Sequence, residues 1–309
     1  MTGGAGFIGS HLVDRLINEG NSVAVIDDLS TGKKENLNPK AAFYAVDINA
    51  PEIKGIFKKE NPEVVFHLAA QINLRDSVIN PLKDAQTNIL GSLNVIDNFL
   101  AINRKRLDDQ KIKFIFSSTG GAIYGNANII PTPETYREFP LSPYGVAKLA
   151  VERYLNYYHE AFGMSYAILR YANVYGPRQN SKGEAGVVAI FCDKMLAGIQ
   201  PEITGDGLQT RDFVYVQDVV EANMLVMKKN VSDFYNIGTG IETNINEIFD
   251  AINGYIGKGF PRKYALAMSG EQKRSCLDCL KAQQELGWDP KISLNEGIVK
   301  TVHWFLNKS

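Results

Sequence analysis

The sequence has few cysteines and no long apolar segment. Its 309 residues include only three cysteines, Cys192, Cys276 and Cys279. An odd number does not suit a disulfide framework and is typical of a reducing compartment. No stretch of about 20 apolar residues occurs, and no charged segment followed by an apolar core opens the chain, which argues against a membrane span and an export signal. We therefore expect a cytoplasmic protein that does not enter a membrane.

The chain also lacks an excess of charge of one sign and a clear metal-binding pattern. Lys and Arg number 33 against 34 Asp and Glu, a formal net charge of -1, so nucleic acid is not an expected partner. Cys276 and Cys279 have the spacing of a ligand pair, but no second Cys or His pair accompanies them, and the four histidines show no ligand spacing. We expect packing or surface roles for these side chains and no bound metal.

Strand-like apolar runs and helical patterns alternate along the first two thirds of the chain. This alternation predicts an α/β fold with a Rossmann-type doubly wound parallel sheet and helices on both of its faces. The predicted strands cover residues 23–27, 42–46, 64–68, 113–117 and 166–171. Further on the pattern is mixed, with short strands at 213–216 and 234–237 and a helix over 219–227.

Glycines with the spacing G-x-x-G-x-x-G, at Gly3, Gly6 and Gly9, open the first helical pattern. A tight turn of this kind lets the backbone approach a pyrophosphate, which the N–H groups and dipole of the helix N-terminus then favour. The next predicted strand ends at Asp27, where a carboxylate can hold the adenosine ribose hydroxyls. Because that charge would repel a 2′-phosphate, NAD is preferred over NADP, although two lysines lie nearby.

The start of the chain departs from this pattern. It begins at Met1-Thr2-Gly3, whereas a dinucleotide fold needs a buried strand of several residues before its first glycine. We expect either that the sequence is truncated at its start or that the protein has lost a central strand, with a stability lower than that of its relatives.

Tyr144 and Lys148 lie four residues apart at the start of a predicted helix that runs to about Tyr158. This spacing puts the phenol and the ammonium on one helix face. A free tyrosine has a pKa near 10, so a phenolate at neutral pH needs about 4 kcal/mol of preferential stabilisation. The Lys148 cation and a positive nicotinamide ring are the two charges that could supply it. Because the pair follows a dinucleotide motif, we interpret it as catalytic rather than as a solvated surface pair.

Three hydroxyl side chains, those of Ser117, Ser118 and Thr119, follow at the end of the predicted strand 113–117. Hydroxyls at the carboxyl end of a parallel strand point into the cofactor crevice, where one can hydrogen-bond the reacting hydroxyl of a substrate. A hydroxyl-rich turn without a catalytic role is plausible for two of the three. We predict Thr119 as the catalytic hydroxyl, with Ser118 as the alternative.

Together these motifs resemble one enzyme family over essentially the whole chain. The chain looks like the UDP-glucose 4-epimerases of bacterial and archaeal type, in the extended short-chain dehydrogenase/reductase family. The matching segments are TGGAGFIGS, the Asp27 strand end, HLAAQ, the Asn88 helix, SSTGGAIYG, SPYGVAK, LRYANVYGPRQ, GDGLQTRDFVYVQDVV and NIGTG. The resemblance implies an isomerase with bound NAD that epimerises C4 of a UDP-hexose, of the UDP-glucose/UDP-galactose type, through a transient 4-keto sugar.

The resemblance also implies roles for individual residues. Tyr144 would take the 4-hydroxyl proton as the C4 hydride moves to NAD, Lys148 would tune it and hold the nicotinamide ribose, and Thr119 would assist at the same oxygen. The implied cofactor-binding residues are Gly3, Gly6, Phe7, Ile8, Gly9, Asp27, Asp28, Asp47, Ile48, Leu68, Ala69, Ala70, Gln71, Asn88, Ser117, Tyr144, Lys148 and Tyr171. The implied substrate-binding residues are Thr119, Asn173, Val187, Arg178 and Arg211.

The two arginines differ in how well they fit this role. Arg211 suits a diphosphate because its planar fork and permanent charge match phosphate oxygens. For Arg178 a surface ion pair is an equally good interpretation. Relatives usually carry a further diphosphate arginine in the segment that here reads Met268-Ser269-Gly270-Glu271, so Lys273 or Arg274 would have to replace it.

On this basis we predict two domains and a dimer. Residues 1–170, with 206–236 returning to them, would form the NAD-binding Rossmann domain. Residues 171–205 and 237–309 would form a smaller mixed α/β lobe that binds the nucleotide sugar. The helices predicted at 93–102 and 148–158 are apolar over a broad face, and such helices pair between subunits in the family, so a homodimer is expected.

Two alternatives remain open at this point. Nucleotide-sugar 4,6-dehydratases and decarboxylases share the cofactor site and the Tyr/Lys pair, but typically carry an acidic residue directly after the catalytic hydroxyl, where Gly120 and Gly121 stand. A non-catalytic NAD-binding regulator could share the fold, although it would have no need to keep Tyr144, Lys148 and the hydroxyl cluster together.

Overall fold

The computed structural model describes residues 1–107, 112–182, 186–267 and 272–308. Within them the helices α1 to α11 span Phe7–Asn18, Ile53–Glu60, Leu74–Ile79, Pro81–Ala85, Ser92–Asn103, Gly120–Ile123, Pro143–Phe162, Val187–Leu196, Val216–Lys228, Ile245–Ile256 and Leu294–Lys308. The strands β1 to β13 span Ala24–Ile26, Ala42–Tyr44, Val64–His67, Lys113–Thr119, Ser165–Tyr171, Asn173–Tyr175, Ile203–Thr204, Thr210–Arg211, Phe213–Tyr215, Asp233–Ile237, Thr243–Asn244, Tyr264–Ala265 and Arg274–Ser275. A 3₁₀ turn at Lys34–Asn36 and π-helical turns at Gln86–Gly91 and Ala282–Leu286 complete the set.

The main sheet is parallel. Strands β10, β5, β4 and β3 pair in that order, and β1 pairs with β2. Helices cover both faces, because parallel neighbours can be joined only by crossovers, and β4 is accordingly buried along almost its whole length. The strands predicted for this sheet are confirmed with ends shifted by a few residues, as is the helix predicted over 219–227. The architecture matches the predicted α/β, Rossmann-type fold class.

The first residues of the chain lie between β1 and β3. Thr2 forms parallel bridges to Ile26 and His67. Its N–H donates to the Phe66 carbonyl at 3.0 Å, and the Ile26 N–H donates to the Met1 carbonyl at 2.9 Å. A strand was expected at this position of the sheet, and Thr2 is the residue that forms its bridges. Thr2 thereby connects β1 and β2 to the strands β3, β4, β5 and β10. A groove of about 390 Å³ lies beside it, between β1 and β3.

A second apolar cluster lies outside the core of the main sheet. Helices α8, α10 and α11 build it together with β6 and β9. The small sheets β6-β9, β11-β8-β13 and β12-β7 belong to the same later part of the chain, whereas β10 returns to the main sheet beside β5. Strand β8, inside the segment predicted to return, pairs instead with β11 and β13. The assignment of whole domains stays a prediction.

The two helices that carry the predicted motifs begin differently. Helix α7 begins after Ser142, whose hydroxyl accepts a hydrogen bond from the Gly145 N–H at 3.2 Å, and Pro143 occupies its first turn, a favoured arrangement at a helix start. Helix α1 begins after Gly6, which has no side chain to cap it. The first N–H groups of α1 are therefore available to a ligand.

Candidate active site

The glycine-rich turn before α1 has no room for side chains at two of its glycines. A Cβ on Gly3 would lie 2.7 Å from the Ala69 backbone nitrogen, and a Cβ on Gly9 would lie 2.1 Å from the Gly3 carbonyl oxygen. Gly3 also has a φ of 69°, in the left-handed region that favours glycine. Between Gly6 and Gly9, Phe7 is buried and Ile8 half-buried. The turn therefore packs backbone against backbone, and Gly6, directly before α1, has no side chain that could cover the first N–H groups of the helix.

Asp27 lies at the end of β1 beside this turn. Its carboxylate accepts hydrogen bonds from the Ala5 and Leu29 N–H groups, each at 2.9 Å. Burial raises the pKa of this carboxyl, and the two backbone hydrogen bonds lower it. Asp28 is exposed, and its carboxylate accepts a hydrogen bond from the Ser30 N–H at 2.9 Å. Asp27 is thus the carboxylate that is held against the glycine turn.

The loop after β3 is fixed by hydrogen bonds to two elements. The Leu68 N–H donates to the Thr2 carbonyl at 3.2 Å, and the Ala69 N–H donates to the Thr2 hydroxyl, also at 3.2 Å. Further along, the Gln71 N–H donates to Asn88 Oδ1 at 2.9 Å, and Asn88 Nδ2 donates back to the Gln71 carbonyl at 2.8 Å. These bonds hold residues 68–71 next to the glycine turn.

The remaining predicted cofactor positions in the loops after β2 and β3 are less constrained. Asp47 Oδ1 accepts a hydrogen bond from the Asn49 N–H at 2.8 Å. Ile48 is buried, and a Cβ on Gly91 would lie 2.7 Å from its Cδ1. Ala70 is half-buried. None of these observations by itself marks a ligand contact.

Tyr144 and Lys148 lie in the first turns of α7, against the end of β4. The Lys148 ammonium donates to the Ser117 carbonyl oxygen at 2.8 Å. It lies 4.7 Å from the centroid of the Phe116 ring and 5.9 Å from that of the Tyr144 ring. The four-residue spacing therefore brings the phenol ring and the ammonium to the same place, with the ammonium anchored to the strand.

Burial dominates the protonation of both groups. Burial and the negative charge of Asp84 raise the pKa of the Tyr144 phenol, while a hydrogen bond with Thr119 lowers it. Burial also lowers the pKa of Lys148 to about 8, although the carboxylates of Asp84 and Glu152 act to raise it. The chain by itself thus keeps Tyr144 protonated at neutral pH, and its ionisation requires a further positive charge nearby.

The three hydroxyls at the end of β4 have three different partners. Thr119 is the one that hydrogen-bonds the Tyr144 phenol. The Ser117 hydroxyl lies 3.1 Å from the Tyr171 hydroxyl. The Ser118 hydroxyl donates to a carboxylate oxygen of Glu152 at 2.5 Å. This arrangement favours Thr119 over Ser118 as the hydroxyl that meets a substrate beside Tyr144.

Two buried carboxylates near this pair were not predicted from the sequence. Asp84 Oδ1 accepts hydrogen bonds from Gln71 Nε2 at 2.9 Å and from Asn88 Nδ2 at 3.0 Å. Glu152 lies one turn after Lys148 and pairs with the buried Arg170. The sequence could have indicated Glu152 only through its position four residues after Lys148, on the same face of the helix. No motif in the sequence indicates Asp84.

Gly120 and Gly121 follow Thr119 directly and lie close in space to residues from later in the chain. A Cβ on Gly121 would lie 3.9 Å from both the Thr119 hydroxyl oxygen and Asn173 Oδ1, which places the exposed Asn173 side chain on the same side as Thr119. A Cβ on Gly120 would lie 2.4 Å from Cδ1 of the buried Leu277. Position 120 therefore has no room for a side chain while Leu277 keeps its place.

Arg211 lies on β8, the middle strand of the small sheet β11-β8-β13. One of its guanidinium N–H groups donates to the Thr210 carbonyl at 2.8 Å, and the Thr210 N–H donates to the Lys273 carbonyl at 2.9 Å. Lys273 also lines a groove of about 830 Å³, together with Gln209 and Tyr264. The groove is large enough for a nucleotide, and it lies next to the strand that carries Arg211.

The two candidates to replace the family's missing arginine differ in their surroundings. The Arg274 guanidinium pairs with the Glu242 carboxylate, with Nε to Oε1 at 2.9 Å, whereas the exposed Lys273 lines the 830 Å³ groove. The segment Met268-Ser269-Gly270-Glu271 lies outside the described residues. Lys273 is therefore the better placed cation of the two.

Two further predicted substrate residues have local explanations. The Arg178 guanidinium pairs with the Asp14 carboxylate of α1 at 2.8 Å. A surface ion pair was the alternative to a diphosphate contact that the sequence left open for this residue. Val187 is half-buried and begins α8. Neither geometry points to a ligand.

The paired cysteines are buried in the later part of the chain. Cys279 Sγ accepts a hydrogen bond from the Gly238 N–H at 3.1 Å. Burial raises the pKa of the Cys276 thiol to about 12 and that of the Cys279 thiol well above its ordinary value. Within the described residues, no group of three or more His, Cys, Asp or Glu side chains could hold a metal ion. No described helix is long and apolar enough to cross a membrane.

Comparison with known proteins identifies the family of the chain. The family model described as "NAD dependent epimerase/dehydratase family" matches residues 1–238. The chain is 42% identical over 315 residues to the UDP-glucose 4-epimerase of Mycolicibacterium smegmatis, covering 100% of this chain and 98% of that protein.

Two solved structures are similar over their full length. The UDP-glucose 4-epimerase from Thermotoga maritima, crystallised with UDP-glucose, is 49% identical with a TM-score of 0.95, covering 99% of this chain and 98% of that one. The UDP-glucose 4-epimerase from Thermus thermophilus in complex with NAD is 40% identical with a TM-score of 0.91, covering 100% and 98% of the two chains.

Proposed function

This chain belongs to the NAD-dependent epimerase/dehydratase family, and from its site we propose that it interconverts UDP-hexoses that differ in configuration at C4. It is an isomerase of the UDP-glucose 4-epimerase type with NAD as its cofactor. The observation that carries the proposal is the meeting of Tyr144, Lys148 and Thr119 at the end of β4. The likeness to UDP-glucose 4-epimerases over the whole chain supports it.

The glycine turn and Asp27 fit a dinucleotide. Gly3 and Gly9 pack against backbone with no room for a Cβ, and this tight turn is what lets the backbone at the start of α1 approach a pyrophosphate closely. Asp27, held beside the turn, supplies an acceptor for ribose hydroxyls and a charge that disfavours a 2′-phosphate. Bound NAD supplies a hydride acceptor and a positive charge.

The chain's own residues handle the proton at the substrate's 4-hydroxyl. Tyr144 accepts this proton when the C4–H bond breaks and returns it after the 4-keto sugar has presented its other face. Lys148, anchored to the Ser117 carbonyl, holds a positive charge beside the phenol. Thr119 hydrogen-bonds the same phenol and is placed to bind the 4-oxygen. No net oxidation results, because the hydride is returned.

The substrate would lie between the end of β4 and the groove beside β8. Asn173 lies near Thr119, on the sugar side of this path, and Arg211 lies near the groove, on the diphosphate side. We propose Lys273 as the cation that takes over from the arginine usual at position 268. The division into an NAD-binding domain and a substrate-binding lobe stays a prediction, and β8, which carries Arg211, pairs with β11 and β13 and not with the main sheet.

The closeness of Gly120 to Leu277 bears on the main alternative. Dehydratases and decarboxylases typically carry an acidic residue directly after the catalytic hydroxyl, and a side chain at Gly120 would require the Leu277 side chain to move. This favours epimerisation.

Turnover of three sugars in parallel tests the function. The protein is incubated in three separate reactions with UDP-galactose, UDP-N-acetylgalactosamine or UDP-galacturonate. We expect UDP-galactose to be converted to UDP-glucose without net consumption of NAD. Chromatography of the products is the measurement. Release of a keto sugar or of CO₂ would favour a dehydratase or a decarboxylase, and no conversion of any of the three would favour a non-catalytic regulator.

Exposed apolar side chains on α3, α4 and α7 support a homodimer. Val78, Ile79 and Leu82 have 63%, 75% and 86% of their surface exposed, and Val146 and Tyr157 on α7 have 51% and 55%. Such neighbouring apolar surface is typical of a subunit contact. The predicted partner of α7 in this contact was the helix over 93–102. That pairing stays a prediction, and Val78, Ile79 and Leu82 lie on the two short helices before it. We also propose that the dimer is cytoplasmic.

A charge on this surface tests the dimer. We expect light scattering to give twice the mass of one chain for the parent protein, and the mass of one chain for Leu82→Glu. Ile199→Glu, at an exposed apolar residue after α8, is the matched control and should remain dimeric. A parent protein that is monomeric at micromolar concentration would contradict the proposal.

A further inference from the structure

A buried carboxylate connects helix α7 to the strand end of the active site. Glu152 Oε1 accepts hydrogen bonds from the Ser118 hydroxyl at 2.5 Å and from Arg170 Nε at 3.1 Å, and Glu152 Oε2 accepts from Arg170 Nη2 at 2.6 Å. Glu152 is 3% exposed, and Arg170 is fully buried. A buried ion pair with this many hydrogen bonds holds its members in one arrangement.

Arg170 is itself held from three sides. Its Nη1 donates to the Tyr124 hydroxyl at 2.8 Å, its Nη2 donates to Glu138 Oε1 at 2.8 Å, and the guanidinium carbon lies 4.2 Å from the centroid of the Phe234 ring. The Tyr124 hydroxyl in turn donates to Asn236 Oδ1 at 2.8 Å. Glu152 therefore cannot shift without breaking a set of bonds that joins β5, β10 and the segment after β4.

Helix α7 thus holds the end of β4 at two consecutive residues. Lys148 donates to the backbone carbonyl of Ser117, and Glu152, one turn further along, accepts from the side chain of Ser118. Thr119 follows directly, and its hydroxyl meets Tyr144 from the same helix. The position of Thr119 relative to Tyr144 is consequently set by the two contacts before it.

We infer that Glu152, anchored by Arg170, is a positioning residue of the reaction, which acts through Ser118 to fix the strand end where Thr119 meets Tyr144 and Lys148. This inference rests on the proposed epimerase function. It gives Ser118 a role other than contact with the sugar. It also gives a role to a buried charge that the proton transfer does not use.

The charge of Glu152 has a second effect, on Lys148. The charged or titratable groups that face this ammonium are Asp84 from α4, Tyr144 and Glu152 from α7, and His67 from β3. Burial, followed by the charge of Lys148, lowers the pKa of His67 to about 3, so His67 is neutral at any working pH. The pKa of Lys148 is about 8, because burial lowers it more than the charges of Asp84 and Glu152 raise it.

Removing the charge of Glu152 should therefore move the pH dependence of turnover. With one of its two stabilising carboxylates gone, Lys148 loses its proton at a lower pH. The alkaline limb of kcat in Glu152→Gln should then lie below that of the parent. In Ser118→Ala the carboxylate and its partner Arg170 remain, so the alkaline limb should stay where it is in the parent.

A double-mutant cycle of Ser118→Ala and Glu152→Gln is the test. In Glu152→Gln the carboxylate that accepts from the Ser118 hydroxyl becomes a neutral amide, so the charge-assisted hydrogen bond becomes a weaker neutral one. Ser118→Ala removes the same contact altogether, so both single variants weaken the link to the strand end. We expect each to lower kcat on the order of 10- to 100-fold, the size expected for a misplaced catalytic group, with KM little changed. The double variant should be no slower than the slower single variant, because both changes break one contact.

The controls separate the possible failures. Glu160→Gln, at an exposed position of the same helix, should keep the kcat and the pH profile of the parent. Ser118→Thr, which keeps the hydroxyl, should recover most of the loss in Ser118→Ala. If the losses in the two single variants multiply in the double variant, or if Ser118→Ala turns over like an active parent, the inference is wrong. A parent protein that converts no sugar overturns the proposed function and the inference with it.

Should Glu152→Gln fail to fold, the Ser118 variants still decide the matter. Ser118→Ala leaves the buried ion pair intact, and its melting temperature should stay close to that of the parent. A folded Ser118→Ala with reduced kcat, unchanged KM and an unchanged alkaline limb supports the inference. Unchanged kcat in the same protein refutes it.

Discussion

Tyr144→Phe is expected to lower kcat for UDP-galactose by about 10²- to 10⁴-fold, the range for loss of a positioned acid/base. The phenylalanine keeps the ring beside Lys148 and removes the hydroxyl proposed to carry the 4-hydroxyl proton. The loss should appear in kcat, because the phenol acts in the transition state and contributes little to holding the nucleotide. Initial rates over a range of UDP-galactose concentrations give both parameters.

The same variant should keep its fold and its cofactor. The ring of Tyr144 packs at the start of α7, and losing one hydroxyl leaves that packing in place. Tyr154→Phe, at an exposed position of the same helix, is the matched control and should turn over like the parent. If Tyr144→Phe interconverts the sugars as fast as the parent, Tyr144 is not the acid/base.

Gly9→Ala is expected to remove bound NAD and to destabilise the protein. The new Cβ would lie 2.1 Å from the Gly3 carbonyl oxygen, which is backbone and cannot rotate away. Overpacking of this kind costs about 1 to 3 kcal/mol of folding free energy. A displacement of the turn that costs 1.4 kcal/mol of binding already weakens NAD about 10-fold. The NAD content of the purified protein and its unfolding free energy are the two measurements.

Gly6→Ala separates cofactor binding from folding at the same turn. A Cβ on Gly6 would have the Gly3 carbonyl oxygen at 3.3 Å as its one close neighbour, so the fold should tolerate it. The methyl group would nevertheless lie at the start of α1, where the pyrophosphate approaches, and NAD affinity should fall.

Gly55→Ala is the control for the effect of an added methyl group on stability. It lies on the exposed face of α2 with nothing within 4 Å and should stabilise the protein by about 0.5 to 1 kcal/mol. A Gly9→Ala protein with the NAD content and stability of the parent would contradict the assignment of the turn.

The sequence was sufficient to predict most of the fold because its signals are local. Strands of the main sheet are short apolar runs between turns, and the ends of β4 and β5 differ from the prediction by two residues at most. The glycine spacing, Asp27 and the pair Tyr144 and Lys148 are likewise recognisable within a few residues of chain. The structure adds to them the direct contact of Gly3 with the loop after β3.

The parts that could not be predicted depend on residues far apart in the chain. Ser118 and Thr119 are adjacent hydroxyls with the same local signal, and only their partners, Glu152 and Tyr144, distinguish them. Arg170 meets Glu152 across the sheet, and no spacing in the sequence records that contact. For the same reason a phosphate ligand and a surface ion pair were equally good interpretations of Arg178.

The electrostatics of Tyr144 also differ from the expectation. Lys148 was expected to help ionise the phenol, yet burial lowers the pKa of Lys148 itself and raises that of Tyr144. Asp84, in contact with the loop after β3, adds a negative charge that opposes the phenolate. The positive charge of bound NAD therefore has to provide more of the stabilisation than the sequence suggested, which links proton transfer to an occupied cofactor site.

The most direct test of the account follows the hydrogen at C4 of the sugar. UDP-galactose carrying deuterium at C4 is converted by the protein in ordinary water, and the UDP-glucose formed is examined by mass spectrometry and NMR. We expect the deuterium to remain at C4, because it is removed and returned within one site. Loss of the label to water, or its appearance at another carbon, would contradict it.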